Sequence, residues 1–303
     1  MAELNIDGLL DKVLHDRIAP GNDRVRAIVN RITTDLYRTI EQLDVQPDEF
    51  WAAADWLTRL GASGQTGLIT AGLGFDRLLD IRQDEADRRR GVKTGTPRAI
   101  EGPLFIPGAP ASDFEVRLDE AQDHGECLVV EGTVRDLQGQ PVAGATMDVW
   151  HANEHGRYSS FDPDQAPFHL RRRITANARG EYRYRTIVPP GYAIPPNSPT
   201  SELFAALGRH GNRPAHIHYL VSAPGLRALT TQVNLPGDPF LDDDFAYATR
   251  QELVLTLEDV PSPAGYESLG IDGPFKRARF DVTLPPAGSD RDAAHLGRAE
   301  RVA

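Results

Sequence analysis

The chain has 303 residues, 40% hydrophobic, 25% charged and 7% aromatic, the composition of a folded protein with one large domain or two smaller ones. Its formal charge of −11 argues against a nucleic-acid surface, although a local arginine can still recognise an anion. No stretch approaches about 18 uninterrupted apolar residues, and "MAELNIDGLLDKVL" lacks the order of a signal peptide, so no membrane span is expected and the expected location is cytoplasmic.

The N-terminal part reads as helices. In "RAIVNRITTDLYRTIEQL", Ile28, Ile32, Leu36, Ile40 and Leu43 recur every three or four residues and form one apolar stripe. Pro47 opens and Gly61 closes a second helix around "DEFWAAADWLTRL". "GLITAGLGFDRLLDIRQDEADRRR" predicts a third, whose early glycines imply close packing or a kink. Short amphipathic helices rarely stand alone, so these must cover another part of the chain, a second subunit, or both.

The texture then changes. Gly and Pro punctuate "GVKTGTPRAIEGPLFIPGAP" every few residues, as in a linker. Beyond it come "ECLVVEGTVRD", "ATMDVWHA", "GEYRYRTIV", "AHIHYLVSA", "LTTQVNL", "QELVLTLED" and "KRARFDVTL". These short apolar or alternating runs, separated by turn signals, predict a mostly antiparallel β-sandwich. The expected class is α+β, with a helical region over 1–100, a sandwich over 101–286 and a polar tail over 287–303. The single cysteine, Cys127, reads as a buried strand residue in a reducing compartment rather than a catalytic thiol.

Within this pattern "RPAHIHYLV" stands out. On a strand, His216 and His218 share one face and Ile217 fills the other. The apolar flanks predict an interior strand, where two unpartnered imidazoles are costly and a metal would satisfy both. His151 and His155 have H-x3-H spacing but sit in a loop, without the H-E-x-x-H arrangement of zinc hydrolases. A two-histidine, one-carboxylate Fe(II) site is conceivable, but its usual H-x-[DE] spacing is absent. Tyr158 in "HGRYSSFD" and Tyr192 in "VPPGYAIPP" each follow a glycine-bearing turn that could aim a side chain into a pocket. Phenolate is a hard anionic donor whose ordinary pKa of about 10 requires a strongly polarising cation.

Together these residues resemble the intradiol ring-cleavage dioxygenases, most closely the catechol 1,2-dioxygenase branch. The resemblance rests on "VEGTVRDLQGQPVAGATMDVWHANEHGRYSSFD", "RRRITANARGEYRYRTIVPPGYAIP" and "ALGRHGNRPAHIHYLVSAPG", in that order. It implies a helical dimerisation region, a homodimer with a lipid held by the helices as in some relatives, and one nonheme Fe(III) per subunit. It also implies Tyr158 and His216 as equatorial ligands and Tyr192 and His218 as axial ones. Arg213 would steady charge on the substrate ring, and Tyr192 would take a proton from the diol. The substrate slot would comprise Leu68, Ala71, Ile100, Pro103, Phe245 and Ala246. The implied reaction is cleavage of catechol by O2 between its hydroxyl-bearing carbons, giving cis,cis-muconate in aromatic degradation. Relatives acting on hydroxyquinol or chlorocatechol often carry an acidic residue where this chain has Ala71, which favours an unadorned or methylated ring. A hydroxyquinol or chlorocatechol enzyme, or a non-enzymatic β-sandwich binding module, remains the alternative.

Overall fold

The computed structural model describes residues 5–288; most of the expected polar tail over 287–303 lies outside them. The chain forms two compact units, residues 1–62 and 63–303.

The smaller unit contains α1 (Ile6–His15), α2 (Asp23–Leu43) and α3 (Pro47–Ala62). Asn5 and Asn22 cap α1 and α2 by accepting from the amides of Gly8 and Val25, which satisfies donors the helices leave open. Asp44 ends α2 in the left-handed region at φ 51°. The expected stripe on α2 exists, yet no residue of this helix is buried. Ile28, Ile32, Leu36 and Leu43 are all exposed, Leu43 at 72%.

The larger unit begins with α4 (Thr66–Gly72) and α5 (Phe75–Arg89), where the sequence predicts one helix with close packing or a kink at its early glycines. Gly74, at φ 77°, breaks it. A Cβ on Gly67 would lie 2.7 Å from Pro103 Cβ, and one on Gly72 would lie 2.4 Å from the Phe245 ring. The early glycines therefore serve close packing of α4 as well as the break. Asp87, fully buried on α5, accepts from Arg98 and Arg227 at 2.7 Å and from Arg90 at 3.0 Å. Those contacts tie the segment around residue 98 to the helix.

The strands are β1 (Ala111–Ser112), β2 (Glu115–Arg117), β3 (Cys127–Asp136), β4 (Thr146–Trp150), β5 (Arg171–Thr175), β6 (Glu181–Ile187), β7 (Tyr192–Ala193), β8 (Asn212–Arg213), β9 (His216–Ser222), β10 (Leu229–Asn234), β11 (Glu258–Val260), β12 (Phe275–Arg279) and β13 (Val282–Leu284). Helix α6 (Pro199–Ala206) lies between β7 and β8 in the chain. One sheet runs β1-β5-β4-β9-β10 and a second runs β11-β12-β3-β6-β2, with β13 also on β3. The central pairs β4–β9, β9–β10 and β3–β6 are antiparallel; parallel pairs join β1 to β5, β2 to β6, and β12 and β13 to β3. Leu128 and Val130 from β3, Tyr182 and Tyr184 from β6, and Ile217, Tyr219 and Val221 from β9 meet in one core.

Two strand expectations need adjustment. "QELVLTLED" forms a 3-10 turn at Gln251–Leu253 and joins a ladder only from Glu258. Its apolar Leu253 and Leu255 are buried in the core, and the segment between them makes only one isolated bridge, Val254 to Asn234, rather than a ladder. "KRARFDVTL" divides into β12 and β13, both on β3.

Candidate metal centre and active site

Strand β9 lies between β4 and β10, so its ladder is full on both sides. Ile217, Tyr219 and Val221 enter the sandwich core, and by alternation His216 and His218 face the other way. Both histidines are buried. Trp150, opposite His218 on β4, stacks on its ring at 4.8 Å with an interplanar angle of 7°. That contact restricts rotation of the imidazole.

Tyr158 reaches the same point from a turn. Asn153 Oδ1 accepts from the amides of His155 and Arg157 at 3.0 Å, closing the turn. Gly156 sits at φ 73°, and a Cβ there would fall 2.8 Å from Tyr192 Cβ. Glycine is therefore required both for the backbone and for the approach of the second tyrosine. Tyr192 itself pairs with Arg213 across the two-residue ladder β7–β8. The preceding Gly191 makes room, because a Cβ there would meet Arg213 O at 2.7 Å.

The result is a convergence of two tyrosines, two histidines and one arginine from distant parts of the chain. Tyr158 Oη lies 3.4 Å from His216 Nε2, which is 3.1 Å from His218 Nε2. The rings of Tyr158 and Tyr192 meet edge to face at 5.5 Å, and Tyr192 lies 5.5 Å from the His216 ring. His216 Nδ1 is 2.6 Å from Pro214 O; donation there leaves Nε2 as an acceptor facing the cluster. Arg213 Nη1 donates toward that nitrogen at 3.0 Å. Burial, reinforced by the Arg213 cation, lowers His216 to about 3. Burial and neighbouring His216 and Arg213 push His218 well below the usual histidine range. Both imidazoles are thus neutral at physiological pH, as a ligand must be. Burial, then Tyr192, drives the Tyr158 phenol well above 10, opposed by Arg213 and Arg171. A bound cation would reverse that balance.

This donor set fits a hard trivalent metal. Facing imidazole nitrogens beside a phenol oxygen concentrate lone pairs, and His218 Nδ1 is buried without a hydrogen-bond partner. Among the described residues no three His, Cys, Asp or Glu side chains gather at one point, so a metal site here must use the tyrosines. His151 and His155 do not contribute. His151 is buried with Nδ1 2.8 Å from Ala152 O and Nε2 2.6 Å from Thr186 Oγ1, while His155 is exposed. Cys127 is half-buried, and burial pushes its thiol up, which suits an unreactive residue.

Sequence reasoning missed the groups that hold Arg213. Its Nε and Nη2 each donate to Asp244 at 3.2 Å, and Nη2 also donates to Gln232 Oε1 at 2.8 Å. Asp244 also accepts from the amides of Ala246 and Ala248 at 3.0 and 3.1 Å. Burial would raise Asp244, but Arg213 and these donors hold it below its ordinary value. Burial alone would lower Arg213; Asp244 and the two tyrosines raise it instead. The only signal in the sequence is the run Asp242–Asp244, in which the buried member is not distinguishable.

The same carboxylate organises the turn bearing Phe245 and Ala246, both buried. Leu68 and Ala71 share a face of α4 by their spacing; Ala71 is buried and Leu68 half-buried. Gly67 and Gly72 connect that helix to Pro103 and Phe245, respectively. Ile100 is buried, and a Cβ on nearby Gly102 would lie 4.0 Å from His218 Cε1. A cavity of about 420 Å³ bounded by Thr96, Leu253 and Phe280 shares none of these residues, so side-chain chemistry rather than volume identifies the site.

A Dioxygenase family model matches residues 100–285, and a model described as the catechol dioxygenase N terminus matches residues 22–91. The chain belongs to the intradiol dioxygenase family. Among curated intradiol dioxygenases it is 55% identical to catechol 1,2-dioxygenase 2 of Acinetobacter lwoffii over 82% of this chain and 90% of that protein. It is 48% identical to catechol 1,2-dioxygenase of Acinetobacter baylyi over 87% of this chain and 86% of that one. The crystal structure of catechol 1,2-dioxygenase from Pseudomonas arvilla C-1 superposes with a TM-score of 0.91 at 46% identity, covering 98% of this chain and 96% of that one. Hydroxyquinol 1,2-dioxygenase of Nocardioides simplex is more distant, 31% identical over 92% of this chain and 95% of that protein.

Proposed function

We propose that this intradiol dioxygenase cleaves catechol with O2 between the two hydroxyl-bearing carbons, giving cis,cis-muconate. The buried convergence of Tyr158, Tyr192, His216 and His218 beside Arg213 carries the reading, supported by 55% identity to a catechol 1,2-dioxygenase. Those four side chains would hold one nonheme Fe(III). When bound, the iron supplies a Lewis acid and template for both diol oxygens, leaving the ring open to attack by O2.

The chain's own groups do the rest. Tyr192 is the least buried of the four, and as the phenolate that a bound cation would favour, its oxygen would take a proton from the incoming diol. Arg213, fixed by Asp244 and Gln232, presents a cation that steadies negative charge as the ring opens. Leu68, Ala71, Ile100, Pro103, Phe245 and Ala246 form the apolar walls that orient the ring and exclude water. None of these six offers a side-chain partner for a third ring hydroxyl, which favours catechol over hydroxyquinol.

Assembly follows from the helices. A 21-residue amphipathic helix with none of its residues buried calls for a partner, and a second copy of this chain supplies one. A bound acyl chain on this apolar face is tested by mass spectrometry of an organic extract. No described helix is long and apolar enough to cross a membrane; cytoplasmic localisation is tested by cell fractionation.

The deciding experiment is the visible spectrum of the iron-loaded protein, recorded anaerobically before and after adding catechol, followed by O2 uptake. A phenolate-to-Fe(III) band that changes with catechol, with one O2 consumed per ring, supports the reading. A colourless, active zinc protein would overturn the iron assignment. A strong preference for hydroxyquinol over catechol and 4-methylcatechol would overturn the substrate.

A further inference from the structure

Arginines that this protein buries wholly or largely come with carboxylates. Arg213 has Asp244, Arg227 has Asp87, and Arg185 has Asp119. Arg171 does not follow the rule. It is 2% exposed, and among the described residues no carboxylate pairs with it. Its guanidinium donates only to neutral oxygens: Nε to Ser159 Oγ at 2.8 Å, Nη1 to Leu104 O at 2.8 Å and Nη2 to Ser159 O at 3.1 Å. A buried charge satisfied by hydrogen bonds but lacking a counter-ion is costly, and retention of such a charge calls for an anion nearby.

The nearest candidate is the Tyr158 side chain. The Arg171 guanidinium carbon lies 5.7 Å from the centre of the Tyr158 ring, within cation–π range. Arg171 pairs with Trp150 in the β4–β5 ladder, and Trp150 stacks on His218. The arginine is thereby fixed on the same sheet that carries the histidines. Its bonds to Ser159 hold the residue next to Tyr158 in the chain. A phenolate ring carries more negative charge on its face than a phenol ring, so the attraction strengthens when Tyr158 is a ligand.

We infer that Arg171 is the fixed counter-cation of Tyr158 at the metal centre, a positioning residue distinct from Arg213, which faces the pocket side. The inference rests on the reading of Tyr158 as an Fe(III) ligand. It assigns Arg171 two tasks: anchoring the 158–159 turn through Ser159, and lowering the energy of the electrons that Tyr158 shares with the metal. The first task is mechanical, the second electrostatic, and substitutions separate them.

The test uses the iron-loaded protein and the energy of its phenolate-to-Fe(III) absorption band. Arg171→Gln removes the charge, whereas Arg171→Lys keeps it and loses the fork. Ser159→Ala removes one anchor and leaves the charge in place. Loss of the cation raises the donor electrons in energy, so Arg171→Gln is expected to shift the band to longer wavelength. The shift is on the order of 10 nm for a charge 5.7 Å from the ring in a medium of effective dielectric about 20. Arg171→Lys and Ser159→Ala are expected to lower the melting temperature while leaving the band within a few nanometres of wild type, on the same Coulomb reasoning.

A purely mechanical clamp predicts otherwise: all three variants would move the band together, or none would, and either result overturns the inference. Should Arg171→Gln fail to fold, Ser159→Ala still decides. A band that moves with the anchor while the charge remains refutes the electrostatic task, and a stationary band with a lowered melting temperature supports it. Absence of any visible band in iron-loaded wild type would defeat the iron-tyrosinate reading itself, a different outcome from a band indifferent to Arg171.

Discussion

Asp244 offers the sharpest quantitative test of how the site is held. Its two oxygens meet Arg213 Nε and Nη2, both at 3.2 Å, and the amides of Ala246 and Ala248 at 3.0 and 3.1 Å. Replacing Asp244 by Asn keeps the shape but turns one acceptor into a donor that faces other donors. Breaking one side of a buried ion pair costs about 3–5 kcal/mol; the remaining bond from Arg213 to Gln232 at 2.8 Å places the expectation at the lower end. Urea denaturation of Asp244→Asn at pH 7 should therefore show a loss of about 3 kcal/mol. Turnover should suffer separately, because Arg213 would no longer be fixed: a loss of about 2–3 kcal/mol of transition-state stabilisation corresponds to roughly 30–160-fold in kcat/KM. Asp244 titrates below its ordinary value in the folded protein, so its stabilisation is present above the unfolded pKa of about 3.9 and disappears as pH falls through the folded value. The stability gap between wild type and variant should hold steady from pH 7 to about 5 and begin to close below about 4. A gap under about 1 kcal/mol at pH 7, or one that persists unchanged into acid, would refute the reasoning.

Other substitutions probe separate links. Gly156→Ala should cost about 1–3 kcal/mol and reduce iron retention, since φ is 73° and the new Cβ falls 2.8 Å from Tyr192; unchanged melting and full iron content would count against the turn as the device that aims Tyr158. Tyr192→Phe should change the visible band and lower catechol turnover at least about 100-fold, the usual scale for losing a placed proton acceptor; stopped-flow absorbance reads both, and an unaltered band would exclude Tyr192 as a ligand. Ala71→Asp should raise the hydroxyquinol-to-catechol ratio of kcat/KM by supplying an acceptor in an apolar wall; a ratio that stays constant would remove Ala71 from the pocket. Replacing exposed Ile32 and Leu36 of α2 by Asp should shift the sedimentation coefficient toward monomer without affecting the visible band, and a retained dimer would move the interface elsewhere.

The parts of this molecule that follow a local period were readable from sequence. Alternation along "AHIHYLVSA" correctly separates the two histidines from Ile217, Tyr219 and Val221, because a strand leaves only two faces to choose from. The stripe on α2 is equally local. What escaped was set by distant contacts. The early glycines of the third predicted helix signal close packing or a kink, but not that Gly72 packs on Phe245, over 170 positions away, which no window along the chain can reveal. The limited pairing of "QELVLTLED" has the same origin, since burial of Leu253 and Leu255 produces strand-like hydropathy while only a single bridge, Val254 to Asn234, forms before Glu258. Around the site, Tyr158 and Tyr192 were legible as candidates from their glycine turns. Asp244 and Gln232 were not, because nothing local separates a carboxylate holding Arg213 from its two acidic neighbours.

The ladder between β7 and β8 has a mechanical consequence. The ladder holding Tyr192 is short: two residue pairs, Tyr192 with Arg213 and Ala193 with Asn212, extended by one backbone bond from Ile194 to Gly211. By contrast, His218 is paired on both sides, with Trp150 of β4 and Gln232 of β10, and His216 pairs with Asn234 of β10, so displacing either would strain a five-stranded sheet. Tyr158 is buried, on a turn that Asn153 closes and whose intervening residues are partly exposed. The four side chains therefore form an unequal clamp: three stiff jaws and one on a short hinge near the surface. A newcomer pressing into this cluster meets one direction that yields, and it is the direction of Tyr192.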